Sequence, residues 1–333
     1  DTSKKSMILD YSTNSGKEIL KRMSSDSDLI IIDLPAKDSE ELINLINSDE
    51  GSSTNIVTIT PHGMDGPYKD RVENDLSIFG WSTRSHRHSI SGRAPLRYGP
   101  YAGIVQIGST AAAVGIAAVW GRKADGIARV VDISGVEALM GNVDSAFFLW
   151  AVNGATQPRS SGQSRGLYPM GAYKCKDGYM LFSAGRDPMF TKLCNAIGRP
   201  EVAKDQRFID PEQRPSHFED FKKILEEWLI TKNKYEAFDH FQEHGVMACP
   251  VLDASELQND PQTVFRQSYI VREQPGLGDI TLAGPPFRMG GLHSDSWVST
   301  AAPNFGQHTN EILKQYKYSN DEIIALFRAG VTT

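Results

Sequence analysis

Cysteine is scarce in this chain: Cys175, Cys194 and Cys249 are the only three in 333 residues. Three scattered thiols build no disulfide framework and, without a CxxC pair, no zinc site. They read as buried, reduced side chains, which suits a cytoplasmic location. Familiar catalytic signatures are missing too. There is no G-x-S-x-G elbow, no G-x-x-x-x-G-K-[ST] phosphate loop and no G-x-G-x-x-G after the first strand-like run. Positive charge is not in excess: 35 Lys and Arg face 41 Asp and Glu, a net −6. That excludes a general polyanion binder, so no nucleic-acid partner is expected. The HRH at 86–88 lacks a second pair of ligands, and no metal is expected. The start, DTSKKSMILDY, shows no signal-peptide pattern. Long uncharged runs are absent except at 98–121, which has the length of a membrane span. Pro100, Gln106, Ser109, Thr110 and many Gly and Ala make that run only weakly apolar. It is expected to be a buried helix with neighbours packed closely against its small side chains, and no membrane partner is expected.

The periodicities present describe an α/β protein. SMILDY (6–11) reads as a strand, 15–27 as a helix with Ile19, Leu20 and Met23 on one face, and DLIIIDLP (28–35) as a strand buried on both faces. A helix over 38–47 and a strand over 55–61 follow, and strand–helix alternation of this kind predicts a parallel sheet. HGMDGPYKD (62–70) is a Gly- and Pro-rich loop just past a strand end, where open α/β sheets bind ligands; a plain turn is the alternative. The connector 81–100 carries Arg84, Arg87, Arg93 and Arg97, either as a phosphate grip or as a solvated face. Beyond it lie a small-residue helix (97–122), a strand (128–134) and a long apolar helix (135–154). Residues 173–184 predict a hairpin turning at Lys176-Asp177-Gly178. Helices are expected at 187–198, 216–230 and 233–244, a strand at the start of 280–291, and two short helices in the tail. These features alone describe a two-domain α/β protein that binds a small or nucleotide-like ligand.

Several stretches, taken in order, resemble the family III CoA-transferases, the group of formyl-CoA transferase, carnitine CoA-transferase and α-methylacyl-CoA racemase. They are KKSMILDYSTNSGKEILKRMSSDSDLIIIDL, TITPHGMDGPYKDRVENDL, GRKADGIARVVDISGVEALM, GAYKCKDGYMLFS with GRPEVAKDQRF, GVMACPVLDASELQNDPQ, PPFRMGG, and PNFGQHTNEIL with DEIIALFRAGV. The resemblance implies a Rossmann-like large domain with a parallel sheet (1–160 and 292–333), a smaller α+β domain (161–291), and two chains interlinked like rings. It also implies that the chain starts after the family's first strand and helix.

The resemblance further implies an activity: CoA moves from an acyl thioester to a carboxylic acid through an aspartate that attacks the thioester carbonyl. That aspartate is expected four positions ahead of Gly108, where Ile104 stands, and neighbouring registers offer no carboxylate. Glu73 and Asp75 are the candidate substitutes. The CoA contacts implied are Leu9, Asp10, Tyr11, Ser12, Asp33, Leu34, Arg71, Glu73 and Asn74, with Lys4, Lys5 and Arg71 as possible phosphate partners. CoA or acyl-CoA is the expected substrate, with no metal. The expected partner is a second copy or another family III chain. Two alternatives stand beside transfer. One is a non-catalytic CoA-binding or scaffolding subunit next to an active copy. The other is an acyl-CoA racemase or lyase, whose catalytic His position falls at Asn74.

Overall fold

The computed structural model describes residues 2–48, 54–96, 99–140, 145–156, 159, 168–291 and 300–333. In chain order the elements are α1 (Asn14–Ser25), β1 (Leu29–Asp33), α2 (Ala36–Ile46), β2 (Asn55–Thr60), α3 (Asp75–Trp81) and α4 (Arg84–Arg87). Then come α5 (Ala102–Asp125), β3 (Val130–Ser134), α6 (Gly135–Met140), α7 (Ser145–Asn153), β4 (Met170–Lys174), β5 (Tyr179–Ser183) and α8 (Met189–Ala196). The chain continues with α9 (Phe218–Leu229), α10 (Lys234–Glu243), β6 (Ala248–Pro250), α11 (Ala254–Asn259), α12 (Pro261–Phe265), β7 (Tyr269–Gln274) and β8 (Gly278–Ala283). It closes with α13 (Thr309–Gln315) and α14 (Asn320–Arg328). Two compact units result: 1–85, 97–153 and 260–333 form the first, and 86–96 with 154–259 form the second. The residues 260–291, grouped by sequence with the smaller domain, fall in the first unit.

The first unit is built on a parallel sheet of order β1-β2-β3, with Ile32 opposite Thr58 and Thr58 opposite Asp132. Crossover helices give this parallel arrangement its hand and cover its faces. Central β2 is buried almost throughout, whereas Ile31 of β1 and Val130 of β3 are about half exposed. The expectation that β1 is buried on both faces therefore fails: Ile32 is buried, but the face carrying Ile31 and Asp33 is left open. SMILDY forms no strand either. Its backbone runs extended beside the C-terminal segment, with the Asp10 N–H donating to the Val331 carbonyl (2.8 Å). Met7 and Leu9 pack there against Ile19, Leu313, Ile323 and Leu326. The apolar stretch 135–154 is two helices, α6 and α7, with 141–144 outside the described residues.

Helix α5 lies against this sheet. Gly103, Ile107, Ala111, Gly115 and Ala118 form its buried stripe, at mostly four-residue spacing. At two of these positions a Cβ would make a neighbouring side chain shift. A Cβ on Gly115 would sit 2.6 Å from Leu29 Cδ2, and one on Gly103 2.8 Å from Asp75 Oδ1. The same does not hold at Gly108, where a Cβ would meet open space. The helix stops at Gly126, whose φ of +76° admits the left-handed C-cap. By length and composition α5 is apolar enough to cross a membrane. Its other side leaves Tyr101, Ile104, Val105, Ile116 and Trp120 exposed, as are Phe147, Phe148 and Trp150 of α7.

The second unit is an antiparallel sheet of order β4-β5-β6, with β5 in the middle. The hairpin turns as its sequence predicts, with the Cys175 N–H donating to the Gly178 carbonyl (2.9 Å). Side chains alternate along β5, so Met180 and Phe182 join a core with Tyr173, Phe190, Phe221, Leu225 and Phe241 from the neighbouring elements. At its edge Arg214 is buried. Nη1 donates to the Gly185 carbonyl (2.9 Å), Nε to the Phe208 carbonyl and Nη2 to Asp187 (2.9 Å), and the guanidinium lies 3.9 Å from the Phe190 ring centre.

Candidate functional site

The carboxyl ends of β1 and β2 open into a cleft of about 520 Å³, lined by residues 33–38 and 69–73 with Ile59 and Pro61. Strand ends are where open α/β sheets leave room, because the chain turns away into crossover segments there. Four of the residues implied by the sequence meet in its walls: Asp33, Leu34, Arg71 and Glu73. Lys37 and Lys69 join Arg71 as cations, and Asp38 and Asp70 add acids. Arg71 lies over the Tyr68 ring at 4.4 Å, while Lys69 pairs at the surface with Glu40 (3.3 Å).

The remaining candidates lie elsewhere. Leu9, Asp10, Tyr11 and Ser12 are not among the cleft-lining residues. Leu9 packs with the C-terminal helices, and Asp10 Oδ1 accepts from the Ser12 N–H (2.9 Å). Lys5 pairs with Glu311 (2.6 Å). Asn74 caps α3, accepting from the N–H groups of Leu76 and Ser77 at 3.1 Å each. In the connector, Arg84 Nε donates to the Leu139 carbonyl (3.0 Å), and Arg97 lies outside the described residues.

The loop 62–73 is tied down at both ends by side-chain hydrogen bonds. Gly63 (φ +94°) turns the chain so that the Met64 N–H donates to Asp132 Oδ2 (2.9 Å), and a Cβ on Gly63 would lie 3.3 Å from that oxygen. Asp132 Oδ1 also takes the Thr58 hydroxyl (3.1 Å). At the other end Glu73 Oε1 accepts from Trp81 Nε1 (3.1 Å) and faces His62 Nε2 at 3.2 Å. The His62 and Glu73 side chains are 8% and 10% exposed, so the pair is largely out of water. Tyr68 and Trp81 stand edge-on to the imidazole, with ring centres 5.6 and 5.4 Å away. The spacing of His62 and Glu73 within one short loop is the one sequence signal of this cluster.

Hydrogen bonds from Ser77, His62 and Trp81 hold the Glu73 carboxyl below its ordinary value of 4.5, against the upward push of burial. A depressed carboxyl stabilises the fold above its unfolded pKa, and the contribution is lost as pH falls through the folded value. Acidification below 4.5 is therefore expected to release the loop and change Trp81 emission. Glu73→Gln should lack that transition; identical titrations of the two proteins would disprove the assignment.

Asp75, in the first turn of α3, reaches across to the head of α5. Its Oδ1 accepts the Ile104 N–H at 3.1 Å. Tyr101 precedes that helix with φ +66° and no side-chain cap of its own, so Asp75 fills the capping place from another helix. The half-buried carboxylate thus stands at the backbone of the residue where the attacking aspartate is expected, two residues past the cleft wall. Among the described residues, no group of three or more His, Cys, Asp or Glu side chains is placed to hold a metal ion.

Similarity to known proteins covers nearly the whole chain. A sequence model of CoA-transferase family III matches residues 1–309. A succinyl-CoA–D-citramalate CoA-transferase of Chloroflexus aurantiacus is 26% identical over 98% of this chain and 81% of its own. Subunit BbsE of the succinyl-CoA:(R)-benzylsuccinate CoA-transferase of Thauera aromatica is 27% identical over 98% and 82%. A crystal structure of a CAIB/BAIF family protein from Brucella suis has the same mixed α/β fold, with a TM-score of 0.80 at 21% identity over 95% of this chain and 82% of that one.

Proposed function

The chain belongs to CoA-transferase family III, and on that premise we propose that it moves CoA between an acyl thioester and a carboxylic acid with Asp75 as the attacking carboxylate. The observation that carries this reading is the Asp75 Oδ1 to Ile104 N distance of 3.1 Å. Family resemblance puts the nucleophile on the α5 side of this contact, and isoleucine has no oxygen to offer. Of the two substitutes, Glu73 is engaged by Trp81 and His62 and nearly buried. Asp75 has one oxygen held on a backbone N–H and a second with no hydrogen-bond partner among the described residues. A carboxylate fixed through one oxygen presents the other in a restricted orientation, which lowers the entropy cost of attack.

The free oxygen adds to the thioester carbonyl carbon. The tetrahedral oxyanion collapses, the C–S bond breaks, and the electron pair leaves on the CoA sulfur. An acyl-Asp75 anhydride and a CoA thiolate result. The thiolate then attacks the Asp75 acyl carbon and expels the first acid as its carboxylate. The second carboxylate displaces the thiolate from the Asp75 thioester to form a new anhydride. The thiolate attacks the acyl carbon of that second acid, which gives the product thioester and frees the Asp75 carboxylate. The nucleotide end of CoA is assigned to the cleft, with Lys37, Lys69 and Arg71 facing its phosphates.

The proposed assembly is a dimer, with a second copy or another family III chain covering the exposed apolar side chains of α5 and α7. That surface, and the half-exposed Ile104 within it, also favours a second reading, a CoA-binding subunit whose partner supplies the carboxylate. One experiment separates the two. The purified chain is weighed under native conditions, then incubated with a panel of acyl-CoA donors and carboxylic acids and followed by mass spectrometry, with a hydroxylamine quench. Thioester exchange with a hydroxamate on Asp75 is expected. Acyl-CoA binding without exchange supports the subunit reading, and no acyl-CoA binding overturns the cleft assignment.

A further inference from the structure

The second unit contains a cavity system that the transferase reading leaves unused. Helix α10 covers one face of the β4–β5–β6 sheet together with α8 and α9, and the alternation along β5 turns Leu181 and Ser183 to the other face. There a groove of about 700 Å³ runs along Met170, Leu181, Met247 and Cys249. Met170, Leu181 and Met247 are 44%, 42% and 54% exposed. A second hollow of about 300 Å³ shares Met170, Ser183 and Met247 with the groove and also has Arg186 in its wall.

The two hollows differ in chemistry. The larger is walled almost wholly by carbon and sulfur, and the amide of Gln242 beside it is already spent on the Ala248 carbonyl (3.1 Å). The smaller carries a guanidinium that has no hydrogen-bond or ion-pair partner among the described residues. The neighbouring acid does not neutralise it, because Asp187 is taken by Arg214 (2.9 Å). A cation at one end of an apolar groove calls for a ligand with the opposite layout. Its apolar body would lie along the methionines, which adapt to different shapes, and its anionic head would sit against Arg186 and the Ser183 hydroxyl.

We propose that this groove binds a carboxylic acid with an apolar tail, the carboxylate pairing with Arg186 and the tail lying on Met170, Leu181 and Met247. A planar carboxylate matches the fork of one arginine, and a single cation suits a monoanion better than the several charges of a nucleotide. The assignment does not depend on which residue carries acyl transfer, since none of these side chains lines the strand-end cleft.

Octanoate, octanol and octanoyl-CoA serve as probes, with binding followed by calorimetry and by the NMR signals of methionine methyls in the full chain. Octanoate is expected to bind more tightly than octanol and to shift the methyls of Met170 and Met247. Arg186→Gln, at an exposed position, should weaken octanoate about tenfold or more and leave octanol unchanged. Leu181→Asp should weaken both. Competition by octanoyl-CoA at the same methyls would assign the groove to the acyl part of a thioester rather than to a free acid and would overturn the proposal. Equal binding of octanoate and octanol, or octanoate affinity unmoved by Arg186→Gln, would overturn it too. Thioester exchange measured in parallel reports on the transferase reading separately.

Discussion

Asp75→Asn is expected to lower the rate of CoA exchange by about 10³-fold or more while acyl-CoA affinity stays close to that of the parent. The amide keeps the shape of the side chain, and its oxygen still accepts the Ile104 N–H, so the junction between α3 and α5 is retained. What it loses is the anionic oxygen that the proposed route adds to the acyl carbon. An amide does not form the anhydride, so the loss belongs in kcat, with little change in the binding of the thioester. Steady-state exchange and acyl-CoA binding, measured on the same preparation, test this directly. Ile104→Asp adds the complement: in the Asp75→Asn background it restores a carboxylate to the head of α5 and should recover part of the lost rate. Full exchange by Asp75→Asn would remove this residue from the chemistry.

Arg214→Met is expected to lower the stability of the second unit by about 3 kcal/mol. Arg214 is 1% exposed, and its guanidinium satisfies the carbonyls of Gly185 and Phe208 as well as Asp187. Methionine fills much of the same space but donates nothing, so two carbonyls lose their donor. Asp187 is half exposed and regains water, so most of the cost lies in those carbonyls rather than in the lost ion pair. Lysine is no remedy, because one ammonium does not reach three acceptors arranged for a planar fork. Urea unfolding followed by far-UV circular dichroism measures the effect; a transition of the second unit at its original midpoint would contradict it.

Local patterns carried much of the fold. The run 28–61 announces β1, α2 and β2 because helix and strand periods are properties of neighbouring residues. The hairpin turn at Cys175–Gly178 is legible for the same reason. Strand β6 and the β7–β8 ribbon were missed in part, since a three-residue strand has too few residues to show a period. SMILDY misled because its apolar alternation serves contacts with the C-terminal helices and not a ladder. In the site, the family resemblance implies Asp33, Leu34, Arg71 and Glu73 as CoA contacts, and these four line one cleft. Leu9 through Ser12 and Asn74 carry the same implied role and do not line it.

By itself the sequence determined the alternation of elements, the small residues of α5 and the run from 98 to 121 without a carboxylate, for these depend only on residue identity and spacing along the chain. The tertiary structure alone decided that Asp75 meets Ile104 across 29 positions, that His62 and Trp81 close on Glu73, and that Arg186 opens onto the groove walled by Met247. Hydrogen bonds and ion pairs act over a few ångströms, and which distant residues come that close is set by how the helices pack on their sheets.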